Sequence, residues 1–162
     1  MTAYYHADEF LKLLRIGNET DCIKYINKYN DFYDIPITLN RSNSLICAIA
    51  FQYENIVTEL IRMGANVNYK SVGNKTVLTL SCIYRRENII IILIEAGALF
   101  VEFIDSHIVK YSCYQVIQYI RNVYRKQIIS VIDDGSTNNA MAVSFKTTYV
   151  SGIIDIISEF II

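Results

Sequence analysis

The sequence predicts an all-α chain built from stacked two-helix units, and three observations carry that prediction. The chain resembles itself at a fixed offset. Within each copy, apolar residues recur at the spacing that gives a helix one apolar face. Glycines stand where the second helical pattern of each copy ends, as residues able to take the left-handed conformation should.

The offset is read directly. Asn43-Ser44-Leu45-Ile46-Cys47-Ala48 pairs with Thr76-Val77-Leu78-Thr79-Leu80-Ser81, and the stretch from Glu54 to Ala65 pairs with that from Glu87 to Ala98. Gly64 and Gly97 lie 33 residues apart (97 − 64), and the other pairs keep that offset without a gap. A period near this length, with two helical patterns per unit, marks a stacked helical solenoid. Helices so short cannot bury their apolar faces alone, so stacking on the next unit completes the core.

The elements follow in order. Residues 9–16 read as a first helix, Gly17 as a turn and residues 21–29 as a second helix, with Asn30 where the closing glycine would stand. Asp8 and Glu9 read as charges in a first helical turn, where the macrodipole favours them. A strand-like finger loop is expected at 34–42. Residues 44–50 form the next helix, and a break at Phe51-Gln52-Tyr53 separates it from 56–63, where Ile56, Val57, Leu60 and Ile61 make the apolar face. A second finger occupies 68–75. Helices at 76–83 and 89–95 repeat the pair, although the isoleucine run at 89–94 is rich in β-branched residues and also suits a buried strand.

Beyond Gly97 the pattern loosens. Leu99-Phe100-Val101-Glu102-Phe103-Ile104 is too apolar for an exposed finger; it either packs down or forms an edge strand. Helical patterns at 107–124 and 125–132 lead to Gly135, and further helices are expected at 140–149 and from Gly152 onward. The expectation is a single domain of four to five units, at about 7–40, 41–73, 74–104, 105–135 and 136–162, the last incomplete. Terminal units should present a polar outer face, yet this one ends Ile161-Ile162. The chain is therefore expected to continue or to be covered there, with continuation favoured. Self-association through Ile156, Phe160 and Ile161 is the corresponding expectation for a bare face.

Composition narrows the function classes. The chain is 52% apolar, enough for a sizeable core. Its 15 basic and 16 acidic residues nearly cancel, and the basic pairs Arg85-Arg86 and Arg125-Lys126, with Arg121, read as solvated helix faces. Nucleic-acid binding rests on clustered phosphate-neutralising cations, so no nucleic-acid partner is expected. The apolar run 89–94 falls far short of the roughly 20 residues of a membrane span, and the N-terminus has no signal-peptide pattern. Cys22, Cys47, Cys82 and Cys113 are widely spaced, one per helical segment, and with only His6 and His107 beside them they suggest no zinc site. They read as buried, reduced thiols of a cytoplasmic protein. The sequons at Asn18, Asn40 and Asn74 carry no meaning without a secretory route. Asp133-Asp134-Gly135 reads as a helix end rather than a carboxylate pair. No phosphate-cradling loop or nucleophile motif is present, so neither enzyme activity nor a cofactor is expected.

The repeated unit resembles the ankyrin repeat. Asn43-Ser44-Leu45 and Thr76-Val77-Leu78 are similar to that family's Thr-Pro-Leu-His helix start, and Gly64-Ala65-Asn66-Val67-Asn68 is similar to its closing Gly-Ala-Asp-Val-Asn. The Pro and His of the helix start are replaced by Ser44 and Ile46 in one copy and by Val77 and Thr79 in the other, which removes a usual hydrogen-bonding group. The resemblance covers residues 41–101 well and the flanks weakly. It implies a non-catalytic module that binds another protein through its finger loops and first-helix ends. Carried onto this sequence, those positions are Phe51, Ile83 and Tyr84, after Ala50, at the helix ends, and Tyr69, Lys70, Val72, Asn74 and Lys75 on the finger. Gly73 reads as a turn requirement. Phe51 and Tyr84 have a second reading, as rings packed between units. The Ile-, Asn-, Lys- and Tyr-rich composition and the degenerate units resemble ankyrin proteins of large DNA viruses or intracellular microbes, which implies a host cytosolic partner met as decoy, inhibitor or adaptor. The alternative is the targeting array of a larger enzyme whose catalytic domain lies beyond Ile162.

Overall fold

The structure, a computed structural model, describes residues 2–133 except Thr38 and Asn40, and gives the backbone alone at Asn74, Asp105, Ser106, Ile132 and Asp133. The expectations for Gly135, for 140–149 and 152–157, and for Ile156, Phe160 and Ile161 lie outside the described residues. The chain divides into two units, Met1–Tyr111 and Ser112–Ile162.

The first unit is helical. Its helices are α1 (Thr2–Ile16), α2 (Glu19–Lys28), α3 (Ser44–Phe51), α4 (Glu54–Arg62), α5 (Val77–Ile83) and α6 (Glu87–Glu95), followed by a 3-10 turn at Val101–Phe103 and a π-helical segment at Ile104–Val109. Among the described residues the only β feature is an isolated antiparallel bridge between Lys70 and Thr76. The isoleucine run is helix, with Ile89, Ile90 and Leu93 buried and Ile91, Ile92 and Ile94 half-buried. That period of three to four residues overrides the β preference of the individual side chains.

Two rows of helices result. Helices α1, α3, α5 and the π-helical segment pack in succession, and α2, α4 and α6 pack in succession beside them. Fully buried side chains fill the space between, including Phe10, Leu14 and Ile26, then Leu45, Ile49, Ile56 and Leu60, then Leu78, Ile89, Ile90 and Leu93. Each such burial contributes about 1.5–3 kcal/mol, which helices of seven to nine residues need because they are marginal alone.

The 33-residue recurrence reaches the level of single hydrogen bonds. Asn43 Oδ1 accepts from the Ile46 N–H at 3.0 Å, and Thr76 Oγ1 accepts from the Thr79 N–H at 3.0 Å, each capping the first helix of its pair. Thr76 and Thr79 also share a hydroxyl hydrogen bond of 2.9 Å, and Asn43 Nδ2 donates to Asp34. Both first helices lead into a left-handed residue, Gln52 (φ 68°) and Arg85 (φ 53°). Both second helices close at a left-handed glycine, Gly64 (φ 94°) and Gly97 (φ 88°). A Cβ at either glycine would meet nothing within 4 Å, so the backbone conformation and not crowding requires glycine there.

Side chains also tie one pair to the next. The Asn66 N–H donates to Asp34 Oδ1 at 3.1 Å, and the Leu99 N–H donates to Asn68 Oδ1 at 2.9 Å. In the second row, Asn55 donates to Glu19 and Asn88 to Glu54, at 3.0 and 3.3 Å.

Several expectations are corrected. Helix α1 begins at Thr2, so Asp8 and Glu9 lie mid-helix, where both pair with Lys12 at 3.0 and 2.7 Å. Asn30 is not left-handed; α2 ends at Lys28 and its cap residue, Tyr29, is extended. The expected helix at 107–124 is divided: the π-helical segment ends at Val109, and Ser112 is left-handed (φ 56°). Helix α7 then runs unbroken over Tyr114–Asp133, with no turn at 124–125 because neither glycine nor proline interrupts it. Val116 and Ile120 are buried, one turn apart. Cys113 precedes α7 rather than lying in a helix. All four cysteines are buried and none forms a disulfide.

Candidate protein-binding surface

Helix α3, Ser-Leu-Ile-Cys-Ala-Ile-Ala-Phe, is apolar on every side and buried along most of its length. Its last residue, Phe51, emerges at 40% exposure. Gln52 then turns the chain in left-handed conformation, and the Phe51 ring stacks on Tyr53 with centroids 6.2 Å apart. One unit later Ile83 and Tyr84 end α5 in the same way, at 37% and 45% exposure. Of the two readings, exposure favours rings available at a surface over rings sealed between units.

The finger is held by its own backbone. The Ser71 N–H donates to the Lys75 carbonyl at 2.9 Å beside the Lys70–Thr76 bridge, and Val72–Asn74 makes one 3-10 turn. Gly73 is left-handed (φ 76°) with open space around it, as a tight turn requires. Val72, at its tip, is 55% exposed.

These pieces enclose a cleft of about 670 Å³. Phe51, Val72, Lys75 and Tyr84 all line it, with Ile46, Ala50 and Leu80 as apolar lining. The other expected residues lie elsewhere. Tyr69 is partly buried and its hydroxyl donates to the Arg41 carbonyl at 2.9 Å, so it braces one finger against the preceding loop; that enclosure raises its phenol pKa. Lys70 lines a separate 190 Å³ cavity beside Phe100 and Glu102. Ile83 is exposed but does not line the cleft. The Asn74 side chain lies outside what the structure describes.

Sequence reasoning missed Leu11 and Arg15 of α1 and Ser42 of the preceding loop, which also line the cleft. Cys47 lies there too, its thiol pushed up to about 11 by burial, with Arg15 acting in the opposite sense. It is a poor nucleophile at neutral pH. Arg86, expected on a solvated face, is half-buried, and its Nε is enclosed without a hydrogen-bond partner.

Among the described residues no group of three His, Cys, Asp or Glu side chains could hold a metal ion. No helix among them is long and apolar enough to cross a membrane. The cleft brings together exposed rings, an apolar floor and two cations, Arg15 and Lys75.

The chain matches no protein-family model, no curated protein and no solved structure.

Proposed function

We propose that the first unit is an ankyrin-type helical-repeat array that acts by binding another protein, with no catalytic step of its own. The observation that carries this reading is the behaviour of Phe51 and Tyr84. They occupy equivalent positions 33 residues apart (84 − 51), both remain exposed, and both line one cleft. Exposed aromatic rings at the edge of a concavity are the groups that anchor protein interfaces, because a partner removes their large apolar area from water. The array reading is supported by the recurrence of cap, left-handed turn residue and glycine stop. A repeat stack of this kind holds successive helix ends at fixed spacing on a rigid frame, and so offers an extended surface.

The test places a photo-crosslinking residue at position 84 of the intact chain and, separately, at Thr58 on the exposed side of α4. Irradiated in lysate of the cells in which the protein acts, the chain should yield a discrete crosslinked protein from position 84 and none from position 58. Equal capture at both positions, or capture from 58 alone, would contradict the proposed face.

A further inference from the structure

The cleft is uneven in charge. Arg15 and Lys75 line it, and no acidic residue does. The asymmetry extends along the chain: no Asp or Glu occurs between Asp34 and Glu54, or between Glu59 and Glu87. Those intervals contain α3, α5 and the finger, which form the cleft together with Leu11 and Arg15 of α1; Asp8 and Glu9 of α1 do not line it. Several carboxylates of the first unit are engaged away from the cleft. Glu19 and Glu54 accept from asparagines of the next second-row helix. Glu59 accepts from Asn27 and Arg62, and Asp8 and Glu9 hold Lys12. Lys12, Lys24 and Arg62 thus have ion-pair partners on their own helices, whereas Arg15 and Lys75 are in no ion pair among the described residues.

We infer that this cleft takes an acidic peptide segment carrying one large apolar side chain, which enters between Phe51 and Tyr84 while its carboxylates meet Arg15 and Lys75. The inference rests on the reading that this face binds protein, and it adds the chemistry of the partner. Charge complementarity selects the occupant. A basic segment would set like charges against two cations that no internal carboxylate neutralises, which suppresses wrong partners. The apolar lining from Ile46, Ala50 and Leu80 gives nothing to a fully charged ligand, so an apolar side chain is needed as well. A single nucleic-acid strand fits less well, because its affinity depends on many phosphate contacts, and the cleft holds only these two cations.

Fluorescence anisotropy on the full chain tests this with short labelled peptides. One has a central Leu flanked by Glu, a second has Lys flanks, a third has Gln flanks, and a fourth keeps Glu flanks around a central Gly. An oligothymidylate of similar length is the fifth probe. The Glu-flanked Leu peptide should bind tightest and the Lys-flanked one weakest, separated by on the order of tenfold at low ionic strength. The gap should narrow with added salt, and the Gly peptide should bind weakly. In Arg15→Glu/Lys75→Glu the order of Glu and Lys peptides should invert. Both side chains are exposed, and Arg15→Gln/Lys75→Gln, which should flatten the preference with an unchanged circular-dichroism melt, controls for folding. Equal affinity for Glu and Lys peptides, indifference to charge reversal, or tighter binding of the oligonucleotide would overturn the inference. Capture at position 84 that survives the double charge reversal would also overturn it, while leaving the protein-binding reading intact. Absence of capture at position 84 in the unaltered chain strikes that reading instead.

Discussion

Residues 44–98 and residues 99–111 are both strongly apolar, yet they fold by different rules. In the first stretch each helix pair opens on a capping side chain, Asn43 or Thr76, and each first helix is preceded by a loop long enough to turn back on itself. After Gly97 the next helical turn begins at Val101, so no finger comparable to 68–75 intervenes. Phe100 and Phe103 stand in the cap positions and have no side-chain oxygen to offer. The left-handed residue that follows, Ser112, comes only 27 residues after Arg85 (112 − 85), against the 33 between Gln52 and Arg85. The result is a 3-10 turn and a π-helical segment, with Leu99 left 74% exposed. Local capping and loop length, rather than apolar content, set whether a two-helix unit is regular.

The largest effects should come from the buried leucines that the offset makes equivalent. Leu60→Ala and Leu93→Ala each empty a fully buried site, and each should cost about 2–5 kcal/mol in urea unfolding. Leu99→Ala should change stability by no more than about 0.5 kcal/mol. A Leu99→Ala cost as large as the other two would erase the contrast between the regions. The caps come next. Asn43→Ala and Thr76→Ala should each lose about 1 kcal/mol, measured the same way. Unequal losses, with one near zero, would show that the two caps are not equivalent despite their matching geometry.

Much of the regular region was legible because its determinants are local. The helical apolar spacing and the glycine stops act within a few residues of themselves, whereas the caps Asn43 and Thr76 were not read and α4 and α6 start at Glu54 and Glu87, two residues before the expected 56 and 89. The turn residues were harder. Gln52 and Arg85 are left-handed without being glycine, so their types do not announce the conformation. The interval after Gly97 was open to two readings because a largely apolar stretch, interrupted only by Glu102, suits an edge strand and a packed-down loop alike. At the cleft, Phe51, Val72, Lys75 and Tyr84 were legible from position within the unit. Arg15 and Leu11 were not, because they come from the preceding helix, whose unit does not keep the 33-residue register.

A smaller and pH-dependent effect should mark the tie between α2 and α4. Hydrogen bonds from Arg62 and Asn27 hold Glu59 at about 2, against an ordinary 4.5. Between those values the folded chain binds fewer protons than the unfolded chain, so the stabilisation is full above pH 4.5 and is lost as pH falls toward 2. Urea midpoints followed through that interval should fall more steeply for the unaltered chain than for Glu59→Gln. Parallel curves would remove Glu59 from the account of how the second-row helices are joined.

The account centres on the face that the regular region presents, and the direct measurement is the affinity of the crosslinked partner for single-site variants. Tyr84→Ala should weaken binding by about 2 kcal/mol or more, roughly thirtyfold in Kd. Lys75→Ala should weaken it far less, and Thr58→Ala should leave it unchanged, all with the fold retained. Unaltered affinity in both Phe51→Ala and Tyr84→Ala would contradict the account and move the binding surface away from the cleft.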